Sequence, residues 1–164
     1  MLTMLLQINE RVAPGAEHDE RLVLPFDLRQ KSRLRVTLES GLEAALQLAR
    51  GSILRGGDRL RSGDGRIVRV VAADEPVMRV TASDAQQLMR AVYHLANRHV
   101  PLQIGDGWLR LESDHVLKEM LLGLGMTVTD ESAPFEPEAG AYGGGHHHHG
   151  AHGHHGDHQH DHEH

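Results

Sequence analysis

Hydrophobic and polar residues alternate along the first part of the chain. Leu34, Val36 and Leu38 have polar neighbours on both sides, and a second such run spans residues 66–71. A repeat of two is typical of a strand that buries one face, because successive side chains point to opposite sides of a sheet. Turn sequences such as Gly56-Gly57-Asp58 separate the runs. The pattern therefore predicts a series of short strands.

The stretch of residues 42–50 is compatible with two structures. Its Ala, Leu, Glu and Gln favour a helix. However, its apolar residues at positions 42, 44, 46 and 48 repeat every two residues, and Gly41 and Gly51 bound it. We therefore predict a strand. Six or seven short strands separated by Gly and Asp turns predict a small β-sandwich or barrel-like domain over residues 1–73.

A different rhythm begins after residue 73. Ser83 and Gln86 have the spacing of a capping box, and the apolar residues that follow repeat at helical intervals. The predicted core face of this helix comprises Ala85, Leu88, Met89, Val92, Leu95 and Ala96. Ser113 and Asp114 are expected to cap a second helix. Its predicted core face comprises Val116, Leu117, Met120, Leu121 and Leu124.

Short apolar segments surround these two helices. Residues 77–80 precede the first helix, residues 100–104 and 108–111 flank a tight glycine turn, and residues 126–129 follow the second helix. The resulting order β-α-β-β-α-β is the split βαβ or ferredoxin-like pattern. The sequence thus predicts an α+β protein with a ferredoxin-like domain over residues 74–132.

The last part of the chain, residues 133–164, has the composition of a linker followed by a low-complexity tail. Pro134, Pro137 and a run of three glycines precede a tract of histidines. Such a segment has little apolar surface to bury. We expect a flexible linker and a tail that is disordered in the absence of metal.

Composition limits the classes of function. The 164-residue chain has no cysteine, which excludes disulfides, thiolate metal sites and iron–sulfur clusters. Its formal charge of −6 argues against nucleic-acid binding. Its apolar runs are far shorter than the ~20 residues that cross a bilayer. No basic residue precedes the short apolar run in residues 1–10, so we expect no signal peptide and a cytoplasmic protein.

Histidine dominates the end of the chain. Imidazole nitrogen is a good ligand for Ni²⁺, Zn²⁺ and Cu²⁺, and closely spaced imidazoles can surround one ion. Because protons compete for the same nitrogens near their pKa of ~6.5, metal binding should weaken in mildly acidic solution. Eleven histidines form the predicted metal-binding tail: His146, His147, His148, His149, His152, His154, His155, His158, His160, His162 and His164.

An expression tag is the simpler explanation of such a tract. Tags usually consist of one uninterrupted run of histidines. Here a run of four is followed by irregular spacing with Gly, Ala, Asp, Gln and Glu. A low-affinity metal collector explains this pattern better than a tag does.

Four histidines lie outside the tail. His18 is in a polar stretch and is expected to be a solvated loop residue. His94 lies away from the core stripe of the first helix, His99 follows that helix, and His115 is in the first turn of the second helix. Spacing alone favours surface or capping roles for these three, and nothing in the periodicity distinguishes His99.

Three parts of the sequence resemble the UreE family of urease accessory metallochaperones. The most specific match is Asn97-Arg98-His99-Val100-Pro101-Leu102 within residues 93–104. A second match spans residues 114–121 and continues into Gly123-Leu124-Gly125. The N-terminal matches are Ser32-Arg33-Leu34-Arg35, Ser40-Gly41-Leu42-Glu43, Arg50-Gly51 and Leu54-Arg55-Gly56-Gly57-Asp58. The resemblance thus covers nearly the whole predicted folded part.

The resemblance implies a β-rich N-terminal domain joined to a ferredoxin-like metal-binding domain. It also implies a homodimer that delivers Ni²⁺ to apo-urease together with an accessory GTPase and other accessory proteins. His99 matches a metal ligand at the dimer interface of the family, and His94 matches a histidine found in some members. His115 matches the second histidine of a His-x-His pair, whose first position is Ser113 here. Zn²⁺ or Cu²⁺ could bind the same nitrogens.

These observations lead to a relay hypothesis, in which the tail collects Ni²⁺, a pair of His99 residues holds it and a partner protein receives it. The main alternative is a buffer for Ni²⁺, Zn²⁺ or Cu²⁺ without a delivery partner. An enzyme is not expected, because the sequence has no Walker-type loop, Gly-x-Ser-x-Gly or His-Glu-x-x-His motif. A peptide-binding role for the N-terminal domain stays open, since an exposed sheet edge could accept a strand.

Overall fold

The computed structural model describes residues 5–15 and 17–140, which form two β-sheets and three helices. The predicted α+β class is confirmed. The predicted disorder of the His-rich tail concerns residues outside the described ones. None of the helices in the described part of the chain is long and apolar enough to cross a bilayer.

The first sheet contains six strands in the spatial order β2-β6-β5-β1-β4-β3. The strands are β1 Leu6–Val12, β2 Glu20–Leu24, β3 Arg33–Thr37, β4 Glu43–Gln47, β5 Arg59–Ser62 and β6 Ile67–Ala72. The ambiguous stretch of residues 42–50 contains β4, so the predicted strand is confirmed. The N–H of Glu39 donates to the carbonyl of Arg21 (2.9 Å), so the two ends of this single sheet meet at one corner.

Alternation along these strands builds the first hydrophobic core. In β4, Ala44 and Leu46 are buried while Glu43 and Gln47 are exposed. The core residues are Ile8, Leu22, Leu24, Val36, Leu38, Ala44, Leu46, Leu54, Leu60, Val68 and Val70. A one-turn helix, α1 (Phe26–Arg29), follows β2 and was not predicted, because four residues are too few to show a helical period.

The second sheet has four strands in the order β10-β7-β9-β8, and its neighbouring strands are all antiparallel. Its elements are β7 Asp74–Thr81, α2 Ala85–Ala96, β8 Gln103–Ile104, β9 Leu109–Glu112, α3 His115–Gly123 and β10 Thr127–Pro134. Along the chain they follow the order β-α-β-β-α-β that the two capped helices and the glycine turn predict. The helices and one face of the sheet enclose a second core around Met78, Leu95, Leu111 and Leu121.

The N-terminal cap of α2 differs from the prediction. The carboxylate of Asp84, and not the hydroxyl of Ser83, accepts a hydrogen bond from a backbone N–H of the first turn, that of Gln87 (2.8 Å). Asp84 has the extended backbone of an N-cap residue, with φ −151° and ψ 169°. The helix therefore begins one residue later than the predicted capping box required. In α3 the predicted cap is confirmed, since Asp114 accepts from the N–H of Leu117 (2.9 Å).

The buried faces of both helices are narrower than predicted. In α2, Ala91 is fully buried although the prediction omitted it, whereas Met89 is 65% exposed. In α3, Val116 is 72% exposed although it was assigned to the core face. The predictions were wrong at these positions, because sequence spacing gives the period of a helix and not its rotation against the sheet.

The predicted linker begins too early. β10 continues to Pro134, which is paired with Asp74 of β7. Phe135 is fully buried, and its ring is stacked on Phe26 with 5.5 Å between the ring centroids. Residues 133–135 therefore belong to the folded part. A segment rich in Pro, Ala and Glu resembles a linker in composition, but a single aromatic side chain is enough to anchor it.

Arg29 links the first sheet's part of the chain to the segment that follows β10. Its side chain is fully buried and donates to the carbonyls of Leu24 and Leu54 (3.1 Å each), to the carbonyl of Phe135 and to the carboxylate of Glu136. Burial lowers the pKa of the guanidinium, and the nearby Glu136 carboxylate opposes this shift. We call Phe26, Arg29, Phe135 and Glu136 the junction.

Candidate metal site

His99 lies at the end of α2, where the chain reverses. The N–H of Val100 donates to the carbonyl of Leu95 (3.2 Å), and the N–H of His99 donates to that of Ala96 (2.9 Å). These two bonds form a Schellman motif, in which the corner residue has a left-handed backbone. His99 has φ 57° and is the only non-glycine residue with a positive φ among those the structure describes.

The local sequence explains the position of this corner. Pro101 disfavours a helical conformation at Val100, so the helix must end before it. Glycine normally occupies such a corner, because a Cβ atom in the left-handed region costs about 1 kcal/mol. The chain has histidine there instead. A strained residue at an exposed corner points to a role other than stability.

The imidazole of His99 is exposed and borders a cleft of about 290 Å³ between the end of α2 and the start of α3. The residues that line the cleft are Arg98, His99, Val100, Pro101, Glu112, Ser113, Asp114 and Leu117. Glu112 and Asp114 bring two carboxyl groups to the same cleft. The lining therefore combines nitrogen and oxygen donors, the ligand types that divalent metals such as Ni²⁺ and Zn²⁺ accept.

Sequence analysis did not identify Glu112, and it treated Asp114 only as a helix cap. Partial removal from water raises the pKa of Glu112, and the carboxylates of Glu75 and Asp27 add to the shift. Asp114 already accepts the bond from Leu117 that caps α3. The available signal was their position beside Ser113, in the second segment that resembles the family.

His115 is the first residue of α3, and its side chain is 83% exposed. Its Nε2 lies 3.2 Å from the carboxylate of Glu119, one helical turn further on. Both side chains of this pair are largely exposed, so the pair can contribute little to stability. Ser113, at the position where the resemblance implies a histidine, offers a hydroxyl in place of an imidazole.

His94 lies in the last turn of α2 and is half-buried. Its ring meets the edge of the neighbouring Tyr93 ring, with 5.4 Å between the centroids. His18 is exposed in the loop before β2, as expected of a solvated loop residue.

The structure does not combine the predicted ligands into one complete site. Within residues 5–15 and 17–140, no three His, Asp or Glu side chains form a group that could hold a metal ion. Within the described part of one chain, His94, His99 and His115 therefore do not form a three-ligand site. The tail histidines, His146 to His164, lie outside the described residues.

The folded chain ends close to the His99 corner. The N–H of Glu136 donates to the side-chain oxygen of Gln103 (3.0 Å), and the N–H of Glu138 donates to the carbonyl of Leu102 (2.7 Å). Leu102 follows His99 by three residues. The segment that precedes the tail thus runs antiparallel to the residues that lead from His99 into β8.

Family models match almost the entire chain. The model described as "UreE urease accessory protein, N-terminal domain" matches residues 5–73, and "UreE urease accessory protein, C-terminal domain" matches residues 75–164.

Individual relatives lead to the same family. A urease accessory protein UreE from Nitrosospira multiformis is 51% identical over 147 residues, which cover 89% of this chain and 84% of the relative. The proteins of the same name from Alkalilimnicola ehrlichii and Janthinobacterium sp. strain Marseille are 56% and 55% identical. These matches cover 85% of this chain in both cases, and 86% and 82% of the two relatives. The chain belongs to the UreE family of urease accessory proteins.

Proposed function

We propose that this protein acts in urease maturation by carrying Ni²⁺ to apo-urease. The observation that carries the proposal is the exposed, left-handed His99 corner, which lies beside the segment that leads into eleven tail histidines. Membership of a family of urease accessory proteins supports the choice of urease as the recipient. The role is one of binding and transfer, and no catalytic step is assigned to the protein.

Ligand number favours a site shared between two copies of the chain. Ni²⁺ takes about four to six ligands, and His99 supplies one. In a homodimer with twofold symmetry, a second His99 would face the first across the axis. Tail histidines or water would complete the coordination sphere. His94 and His115 are secondary candidates, since neither is among the residues that line the His99 cleft.

An incomplete site suits a carrier. Two imidazoles leave open coordination positions through which a recipient can take the ion, whereas a closed set of ligands would retain it. The chain has no cysteine, so no thiolate competes for the metal. A chain without disulfides also suits the reducing cytoplasm. The accessory GTPase and the urease assembly complex are the proposed partners.

Metal identity does not follow from the ligands alone. Nitrogen ligands bind Cu²⁺ more tightly than Ni²⁺, and Zn²⁺ accepts the same donors. We infer that selectivity for nickel comes from metal availability and from the partner proteins.

A metal buffer is the second candidate function. The eleven tail histidines favour it as much as they favour a carrier, because both need reversible binding of several ions. A buffer needs neither the His99 corner nor a partner. Co-purification with the urease GTPase therefore separates the two functions.

Calorimetric titration with Ni²⁺ tests the role of His99. A chain that ends at Gly145 keeps the whole junction and should bind about one ion per dimer. The same chain with His99→Ala should lose this tight site, whereas His18→Ala, a change at an exposed loop histidine, should keep it. Full tight binding by the His99→Ala chain would refute the proposed site.

A cellular assay tests delivery. In cells that lack this protein and grow at limiting nickel, the full chain and the His18→Ala variant should restore urease activity. The His99→Ala variant should restore far less. Equal restoration by both variants would favour the buffer over the carrier.

A further inference from the structure

Charge is unevenly distributed along the chain. Residues 1–73 contain twelve Lys and Arg and nine Asp and Glu, which gives a net charge of +3. Residues 74–164 contain five Lys and Arg and fourteen Asp and Glu, which gives −9. The net charge of −6 therefore hides a cationic N-terminal part. A surface that binds an acidic partner is therefore expected in this part.

Three of these cations line one cleft. The cleft has a volume of about 450 Å³ and lies between the loop that follows α1 and the residues that follow β4. Its lining residues are Gln30, Lys31, Ser32, Arg33 and Arg50, and all of them except the half-buried Ser32 are exposed. We call this the basic cleft.

The cations of the basic cleft lack acidic partners. Among the residues that the structure describes, no carboxylate lies within 4.0 Å of the charged groups of Lys31, Arg33 or Arg50. Arg35, two residues after Arg33 in β3, does have an acidic partner, since its guanidinium lies 2.6 Å from the Glu43 carboxylate. The basic cleft therefore concentrates uncompensated positive charge in a protein that is negative overall.

One backbone edge borders the cleft. The N–H of Leu48 donates to the carbonyl of Ser32 and the N–H of Leu38 to that of Leu42, at 2.8 Å each. In an antiparallel ladder, the backbone N–H and C=O groups of the residues between these bonded positions point away from the neighbouring strand. The N–H and C=O groups of Arg33 and Arg35 thus face outward from the sheet. At Glu39 the same edge is closed by the bond to Arg21.

We propose that the basic cleft binds a short acidic segment of a partner protein, in an extended conformation along Arg33 and Arg35. Alternate side chains of an extended segment lie on one face about 7 Å apart, so two carboxylates can meet Arg33 and its neighbours in the cleft. The planar guanidinium groups of Arg33 and Arg50 match carboxylates in a bidentate manner. The outward backbone groups provide the hydrogen bonds of strand addition.

The lining favours a carboxylate-rich peptide over a nucleotide. No aromatic side chain is among the five lining residues, so a base has no surface on which to stack. In addition, a single exposed cation binds an anion only weakly in water. This favours a ligand that carries several charges on one chain.

Protection of a sheet edge is the simplest other reason for these charges. Lysine and arginine on an edge strand prevent pairing with other chains. Arg50, however, is not on β3, because it follows β4 and approaches the cleft from the opposite side. Edge protection does not require a cation in that place, whereas a binding cleft does.

The test measures binding of a fluorescein-labelled peptide of five Glu-Thr repeats to the full chain, by fluorescence anisotropy at pH 7.5 with EDTA present. The double variant Arg33→Gln/Arg50→Gln should weaken binding about tenfold. The control Arg69→Gln/Arg90→Gln removes the same charge from two exposed arginines outside the cleft and should change binding less than about twofold. A peptide with Gln in place of Glu, which has no carboxylates in its repeats, should not bind.

Amide hydrogen exchange of the full chain, labelled with ¹⁵N and measured by NMR, supplies a second readout. Bound peptide should slow exchange at the N–H groups of Arg33 and Arg35 and leave that of Leu34, which bonds to β4, unchanged. Equal weakening in both double variants, or no binding by the native chain, would overturn the proposal. Because EDTA removes nickel from the assay, neither result depends on the proposed metal site.

Discussion

The junction and the His99 corner treat polar groups in opposite ways. At the junction, Arg29 is fully buried and reaches three carbonyls and one carboxylate. At the corner, the His99 imidazole is exposed, has no hydrogen-bond partner among the described residues, and sits on a left-handed backbone. At the junction every nitrogen of the Arg29 guanidinium has a hydrogen-bond partner, whereas at the corner the imidazole nitrogens stay available to a metal ion.

This difference separates stability from binding. A buried charge is tolerated only when its partners are complete, so the junction must be formed in every folded molecule. A metal carrier needs the reverse, a ligand that is held in place but not occupied by the protein itself. Strain at the corner is affordable because the surrounding fold fixes its backbone. The following predictions test this separation.

The largest effect is expected at the junction. Arg29→Met keeps an unbranched side chain but removes the guanidinium, which leaves the carbonyls of Leu54 and Phe135 and the carboxylate of Glu136 without this donor. Loss of one partner of a buried ion pair costs about 3–5 kcal/mol. Urea unfolding of the full chain without metal should show this loss in the free energy of unfolding.

An exposed ion pair provides the control for Arg29. Arg35→Met breaks the pair with Glu43, in which both side chains are at least half exposed, and should cost less than about 1 kcal/mol. Adding Glu136→Gln to Arg29→Met should recover part of the loss, because it removes the partly buried carboxylate left without a partner. Equal costs for the two arginine variants would show that the junction is not the buried anchor described here.

An intermediate effect of opposite sign is expected at the corner. His99→Gly removes the Cβ atom from the left-handed backbone and should raise the free energy of unfolding by about 1 kcal/mol. The same variant should lose the proposed tight Ni²⁺ site. A gain in stability combined with a loss of binding would show that His99 is retained at the corner for its imidazole.

Asn97 offers a matched control in the same loop. Its backbone is right-handed, with φ −62° and ψ −21°, so Asn97→Gly should lower stability by up to about 1 kcal/mol. If both glycine variants moved stability in the same direction, backbone strain at His99 would not be the cause of the gain.

Local patterns predicted the elements better than they predicted the contacts between them. The period of two across residues 42–50 identified β4 against its helical composition, because burial on one face outweighs intrinsic propensity. The junction has no such signature. Arg29 and Glu136 are 107 positions apart, and neither belongs to a repeat, so only the folded chain shows that they meet.

The His99 corner lies between these two cases. The sequence already contained Val100-Pro101, which indicates that the preceding helix ends before Val100. Periodicity could not assign a role to His99, because a corner residue belongs to no repeating face. The resemblance to the UreE family selected it, and the left-handed backbone supplies an independent physical reason. The sequence could not identify Glu112, because its raised pKa depends on burial in the folded chain and on Glu75 and Asp27, which are distant in sequence.

Glu112 connects the two regions and gives the smallest predicted effect. It lines the His99 cleft, while Glu75, one cause of its raised pKa, accepts the N–H of Phe26 at the junction (2.9 Å). Because the folded state raises this pKa, folding favours the protonated carboxyl, and stability rises as the pH falls through the folded pKa towards the ordinary 4.5. The carboxylate is thus slightly unfavourable at neutral pH.

Glu112→Gln should therefore stabilise the metal-free chain at pH 7.5, but only by a fraction of a kcal/mol, since water screens an exposed carboxylate. The gain should disappear below about pH 4, where Glu112 is protonated in both the folded and the unfolded state. Urea unfolding of the two chains across this pH range measures the difference. In a Glu75→Gln background the gain should shrink, because one of the repelling charges is gone. A difference that is independent of pH would mean that packing, and not charge, links the cleft to the junction.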